Sequence, residues 1–125
     1  MPHLTLEHTT NISPQVSFET LFLRLHEILA NAGIEITNCK SRSLERSSFY
    51  IANGQQLAAF IHLDLRFIEG ISDKAKREIG ENALSILKEY FPTPDDIDDL
   101  QITVEINDIK RQDYFKFPPN TLQYR

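Results

Sequence analysis

Ala58-Ala59-Phe60-Ile61-His62-Leu63-Asp64-Leu65-Arg66-Phe67 is the stretch from which the fold can be read. Ala59, Ile61, Leu63, Leu65 and Phe67 alternate with Phe60, His62, Asp64 and Arg66, the two-residue period of a β-strand. A shorter echo opens the chain, where His3-Leu4-Thr5-Leu6 repeats the pattern of His62-Leu63-Asp64-Leu65. Each copy is followed by residues at helical spacing. After the first, Ser17 suits an N-cap, and Phe18, Leu21, Phe22, Leu25, Ile28, Leu29 and Ala32 share one helix face. Gly33 suits the C-terminal cap. After the second, Gly70 ends the strand and Ser72 begins a helix with Ala75, Ile79, Ala83, Ile86, Leu87 and Tyr90 inward. Pro92 and Pro94 stop it, because proline cannot continue the hydrogen-bond ladder.

Each helix leads to another strand. Asn38 to Arg46 is polar and basic, and as a strand it puts Lys40, Arg42 and Leu44 on one face. Phe49 to Ala52 reads as a short extension, and Asn53-Gly54 as a turn. Gln101 to Asp108 turns Ile102, Val104 and Ile106 to one side. The order strand, helix, strand therefore occurs twice. Parallel strands need a crossover helix, and the crossover is right-handed. The expected fold class is α/β in the form of an α+β two-layer sandwich: two fused βαβ units, a four-stranded mixed sheet and two helices on one face. Residues 1–125 are expected to form one domain, with 1–53 the first unit and 54–125 the second unit plus a tail. The strand pattern carries apolar residues on both sides, most clearly over Ala58 to Phe67, which predicts that the open sheet face is covered in an oligomer. The tail Tyr114-Phe115-Lys116-Phe117-Pro118-Pro119 is aromatic and cationic, and is expected to pack on a neighbouring subunit.

Composition narrows the function. The chain has 125 residues, 41% of them hydrophobic, enough for one cored domain. A net charge of −5 argues against general nucleic-acid binding. No apolar run approaches the ~20 residues of a membrane span, and no basic-then-apolar secretion signal opens the chain, so a cytoplasmic protein is expected. The single Cys39 allows no internal disulfide and reads as a small buried hydrophobe. Asp95, Asp96, Asp98 and Asp99 form an acidic loop with no His or Cys beside it. His3, His26 and His62 are scattered without metal-ligand spacing. No metal and no cofactor is expected, and the serines have no triad partner.

One position suggests chemistry. A small second residue such as Pro2 allows removal of the initiator methionine, which would free a secondary amine. Buried in an apolar pocket beside cations, such an amine loses basicity, because its charged form is desolvated and repelled. It becomes a base poised near neutral pH. With Met1 attached the same nitrogen is an amide and cannot act.

Several short motifs then align with one family. They are Pro2-His3-Leu4 with Leu6-Glu7, Asn11-Ile12, Lys40-Ser41-Arg42, Gly54 with Ala59-Phe60-Ile61-His62-Leu63, Gly70-Ile71-Ser72, Glu105-Ile106, and Phe115-Lys116 with Asn120-Thr121. In this order the chain resembles the 5-carboxymethyl-2-hydroxymuconate isomerases of the tautomerase superfamily. The resemblance implies a homotrimer with sheets facing inward and one site per subunit at the Pro2 end, partly built by a neighbour. It implies cofactor-free isomerisation of a small unsaturated carboxylic acid, with Pro2 as base. On that reading Arg42 and Lys40 bind substrate or steady an oxyanion, and Phe49 and Tyr50 form an apolar wall. Two positions depart from the family pattern: Lys40 and Ile71 stand where arginines are usual. Arginine grips a carboxylate with a planar fork, whereas lysine is a point charge. Two other expectations therefore compete: a trimer that has lost activity and serves as a binding or structural protein, and a hydratase or dehalogenase on the same scaffold.

Overall fold

The computed structural model describes residues 1–54 and 57–119. Its elements are β1 (His3–Thr9), α1 (Phe18–Asn31), β2 (Lys40–Arg46), β3 (Ala58–Ile68), α2 (Asp73–Tyr90), β4 (Asp99–Ile109) and a short 3-10 turn, Arg111–Asp113. The strands form one sheet in the order β2-β1-β3-β4. β1 runs parallel to β2 and β3 parallel to β4, while β1 and β3 meet antiparallel at the centre. This is the doubled βαβ arrangement that the repeat predicts. Asn120-Thr121 lie outside the described residues.

Local chemistry sets the helix ends. Ser17 and Ser72 both take extended backbone angles and accept a hydrogen bond through the side chain, from the amides of Thr20 and Ala75. Each such cap stabilises its helix by roughly 1 kcal/mol. Gly33 follows α1 with φ at +86°, a conformation that side-chain-bearing residues rarely adopt. α1 buries Leu21, Leu25 and Leu29, and α2 buries Ile79, Ala83, Ile86 and Leu87. These meet Leu4 and Leu6 of β1 and Ile61, Leu63, Leu65 and Phe67 of β3 in a single core. Full burial of each large aliphatic side chain contributes about 1.5–3 kcal/mol.

Two expectations are corrected. The open sheet face is mainly polar rather than apolar. The register groups His3, Thr5 and Glu7 with Arg42, Leu44, His62, Asp64, Arg66, Thr103, Glu105 and Asn107 on the side away from the helices, Leu44 being the exposed apolar member. The odd positions of β3 are all apolar, whereas the even positions are apolar only at the ends, Ala58, Phe60 and Ile68, with His62, Asp64 and Arg66 between them. Ion pairs lace this face, including Arg46 to Glu7 at 2.6 Å and His62 to Glu105 at 3.3 Å. Second, Phe49 to Ala52 is not an extension of β2. Ala52 takes a positive φ of 51°, which breaks the extended path, and Phe49 instead packs edge-on against Phe60, ring centroids 6.5 Å apart.

Candidate active site

Four segments converge at the start of β1. Pro2 enters the central strand there, and its carbonyl accepts the Lys40 amide at 2.9 Å, locking the start of β1 to the start of β2. The turn after α1 brings Gly33, Ile34, Glu35 and Asn38. Antiparallel pairing brings the end of β3, with Phe67, Ile68, Gly70 and Ile71. The segment after β4 adds Arg111, Tyr114 and Lys116. Together with Met1 and Pro2 they enclose a cavity of about 360 Å³, within the range of small-molecule sites.

Pro2 is buried. The Met1 amino group donates to the Asn38 carbonyl at 2.9 Å, and Lys40 Nζ donates to the same oxygen at 3.0 Å. Burial lowers the pKa of that amino group, and the charge of Lys40 and then of Lys116 lower it further, with Cys39 opposing. An amine at this end of the sheet is thus pushed toward its neutral form by desolvation first and like charge second.

The cavity carries both signs of charge. Glu35 accepts hydrogen bonds from the Thr37 amide and hydroxyl, which hold its carboxyl below the usual range. Glu69 accepts the Arg111 amide at 2.8 Å. Among the described residues the Arg111 guanidinium has no ion-pair partner. Lys116 Nζ donates to the Pro118 carbonyl at 2.6 Å.

The residues singled out by sequence are separated in this chain. Only Pro2 lines the cavity. Lys40 stands beside it through the Asn38 carbonyl. Arg42 lies on the open sheet face, donating to Thr5 Oγ1 at 3.2 Å and to His3 Nδ1 at 2.9 Å. Phe49 and Tyr50 follow the far end of β2, so the length of β1, seven residues or roughly 20 Å, separates them from Pro2. They can meet a Pro2 site only across a subunit boundary. Asn38, Glu35, Glu69, Arg111, Tyr114 and Lys116 also line the cavity. Tyr114 and Lys116 belong to the tail expected to pack on a neighbouring subunit, and the others carry no spacing signal, because the fold alone gathers them.

Ile71 lines the cavity. Cys39 is half-buried with its thiol 3.4 Å from His26 Nε2, and burial raises its pKa. Among the described residues no cluster of His, Cys, Asp or Glu could hold a metal, and no helix is long and apolar enough to cross a membrane.

A model of the 5-carboxymethyl-2-hydroxymuconate isomerase family matches residues 2–123. The chain is 28% identical over 92 residues to a 5-carboxymethyl-2-hydroxymuconate Delta-isomerase of Escherichia coli, covering 73% of each. A crystal structure of a 5-carboxymethyl-2-hydroxymuconate isomerase from Deinococcus radiodurans R1 superposes with a TM-score of 0.82 at 26% identity, over 99% of this chain and 94% of that one. A fused 4-OT solved as a symmetric trimer shares the fold, with a TM-score of 0.74 at 15% identity over 97% of this chain and 96% of the other.

Proposed function

The chain belongs to the 5-carboxymethyl-2-hydroxymuconate isomerase family and is an isomerase, and we propose that it moves a proton along a small unsaturated keto-enol carboxylic acid with the Pro2 amine as base. The observation that carries this reading is the burial of Pro2 in a cavity of about 360 Å³ beside cationic groups. Removal of Met1 leaves the Pro2 nitrogen at that cavity as a free secondary amine. It takes a proton from the hydroxyl or carbon end of the conjugated system and returns it to another carbon. One O–H or C–H bond breaks, an N–H bond forms, and the same N–H proton then makes the new C–H bond. No electrons leave the system, so no cofactor is needed. The dienolate between the two steps carries its charge on oxygen.

The name of the E. coli relative, a carboxymethyl-hydroxymuconate isomerase, supports one substrate class: a short, planar, unsaturated acid with more than one carboxylate. Arg111 and Lys116 supply positive charge in the cavity to hold a carboxylate. Arg42, Phe49 and Tyr50 join the site if a second subunit presents them. A homotrimer is supported by the trimeric 4-OT fold relative and by Phe115 and Phe117, which are 89% and 94% exposed in a single copy.

The test is ketonisation of the enol of phenylpyruvate, with the N-terminus defined by intact mass. Chain beginning at Pro2 should turn the enol over, and Pro2→Ala should lose ~10²–10⁴-fold in kcat, the usual worth of a positioned base. Equal turnover by the two would remove the amine from the mechanism. A catalytically silent trimer is the second reading, favoured by the Met1 amine seated on the Asn38 carbonyl. Full retention of Met1 in protein purified from cells would select it.

A further inference from the structure

Tyr114 stands between two concavities. It lines the Pro2 cavity and also a groove on the open sheet face, where His3, Arg42 and Arg66 are its neighbours. Its hydroxyl lies 2.8 Å from His3 Nε2, and the two rings meet edge-on with centroids 6.0 Å apart. On the other side of the imidazole, Arg42 Nη2 lies 2.9 Å from His3 Nδ1.

The chemistry of the three groups fixes every proton in this chain. A guanidinium only donates, so Nδ1 must accept and carries no hydrogen. The neutral ring then bears its hydrogen on Nε2, which donates to the Tyr114 oxygen. With that lone pair occupied, the phenolic hydrogen is left for a third partner. Burial and the surrounding cations, Arg42 first, then the terminal amine, Lys40 and Arg66, keep His3 neutral. The cationic form would have a proton on Nδ1 facing the Arg42 guanidinium.

We infer that Tyr114 is a catalytic hydrogen-bond donor to the oxygen that becomes negative during isomerisation, and that His3 and Arg42 are positioning residues that aim its hydrogen. This rests on the isomerase reading above. The phenol keeps its proton throughout, and Pro2 alone carries the migrating one. A donor aimed in advance at developing charge favours the dienolate over the neutral acid. It also gives Arg42 a role within its own subunit, behind the tyrosine.

The experiment uses protein beginning at Pro2, with the enol of phenylpyruvate as probe. Tyr114→Phe should lower kcat ~10²-fold or more, the loss of one oxyanion donor, with KM within about twofold. His3→Leu should lose a similar amount, and His3→Gln should recover at least about tenfold of that loss, since its amide can donate to Tyr114 and accept from Arg42. The double variant His3→Leu/Tyr114→Phe should be no worse than Tyr114→Phe, as expected of groups acting as one unit. If Pro2→Ala is inactive while Tyr114→Phe keeps kcat within twofold, the inference fails and the base survives. If Tyr114→Phe is slow while Pro2→Ala is not, the base fails and the donor survives. A second measurement needs no turnover: nitrogen chemical shifts of His3 should report a neutral ring protonated on Nε2, lost in Arg42→Ala. A ring protonated on Nδ1 overturns the assigned positioning of Tyr114.

Discussion

The amino group of Met1 sits 2.9 Å from the carbonyl oxygen of Asn38, the same oxygen that receives Lys40 Nζ. Pro2, directly behind it, is buried and paired to Lys40. A peptidase must draw both residues out to cut between them. Folded protein that retains Met1 should therefore resist an added methionine aminopeptidase. The same chain should be trimmed when unfolded and gain activity on refolding. Intact mass and initial rate, followed together, check this, and rapid trimming of the folded form would contradict it.

Arg111 should govern binding more than chemistry. Arg111 lines the cavity and its guanidinium has no ion-pair partner among the described residues, while its amide is tied to Glu69. Arg111→Ala should raise KM for a dicarboxylate about tenfold or more, in line with the ~1.5–3 kcal/mol of a hydrogen bond to a charged group. The kcat should change little, and a monocarboxylic probe should be affected less. Steady-state kinetics with both probes decides it.

The fold's two-unit character was legible because a two-residue period and a 3.6-residue period each leave a local mark. Ser17, Gly33 and Ser72 are punctuation of the same kind, and all three mark helix ends. Pro2 was visible for a chemical reason, since proline is the one standard residue that yields a secondary amine when it becomes the N-terminus. The rest of the cavity was not. Glu35, Glu69 and Arg111 lie in three separate connections, and nothing local relates a turn after α1 to the end of β3. Their meeting is a product of topology. The open face was misjudged because Ala58 and Phe60, at the start of the strand, put apolar residues on both of its sides, whereas the later even positions His62, Asp64 and Arg66 are all polar.

Acid should destabilise the protein through its histidines. Burial lowers the pKa of His26, and burial with Arg42 and its neighbours lowers that of His3. Both start from an ordinary value of 6.5, so below that pH the unfolded chain binds more protons than the folded one. Stability then falls as pH drops. The melting temperature should decline between pH 7.5 and 5.5 (about one pH unit each side of the ordinary value), and less steeply in His26→Gln. A profile as steep in the variant would assign the effect elsewhere.

Leu63 lies at the middle of β3, fully buried and opposite Leu6 of β1 and Val104 of β4. Leu63→Ala should cost about 2–5 kcal/mol, a transfer loss plus an unfilled cavity. Leu57→Ala, at a half-exposed loop position, should stay within about 0.5 kcal/mol. Urea unfolding of both variants at fixed protein concentration separates them.

The charged, laced side of the sheet has a further meaning for assembly. Partners that met there would be held by attractions that dissolved ions weaken, with a reach of about 10 Å at 0.1 M salt. Raising the ionic strength should then set subunits loose without melting them. Each liberated copy would keep a wettable flank, Glu7 still clasping Arg46. Concentration and salt, rather than heat, would be the dials that decide whether a neighbour is present to lend its side chains.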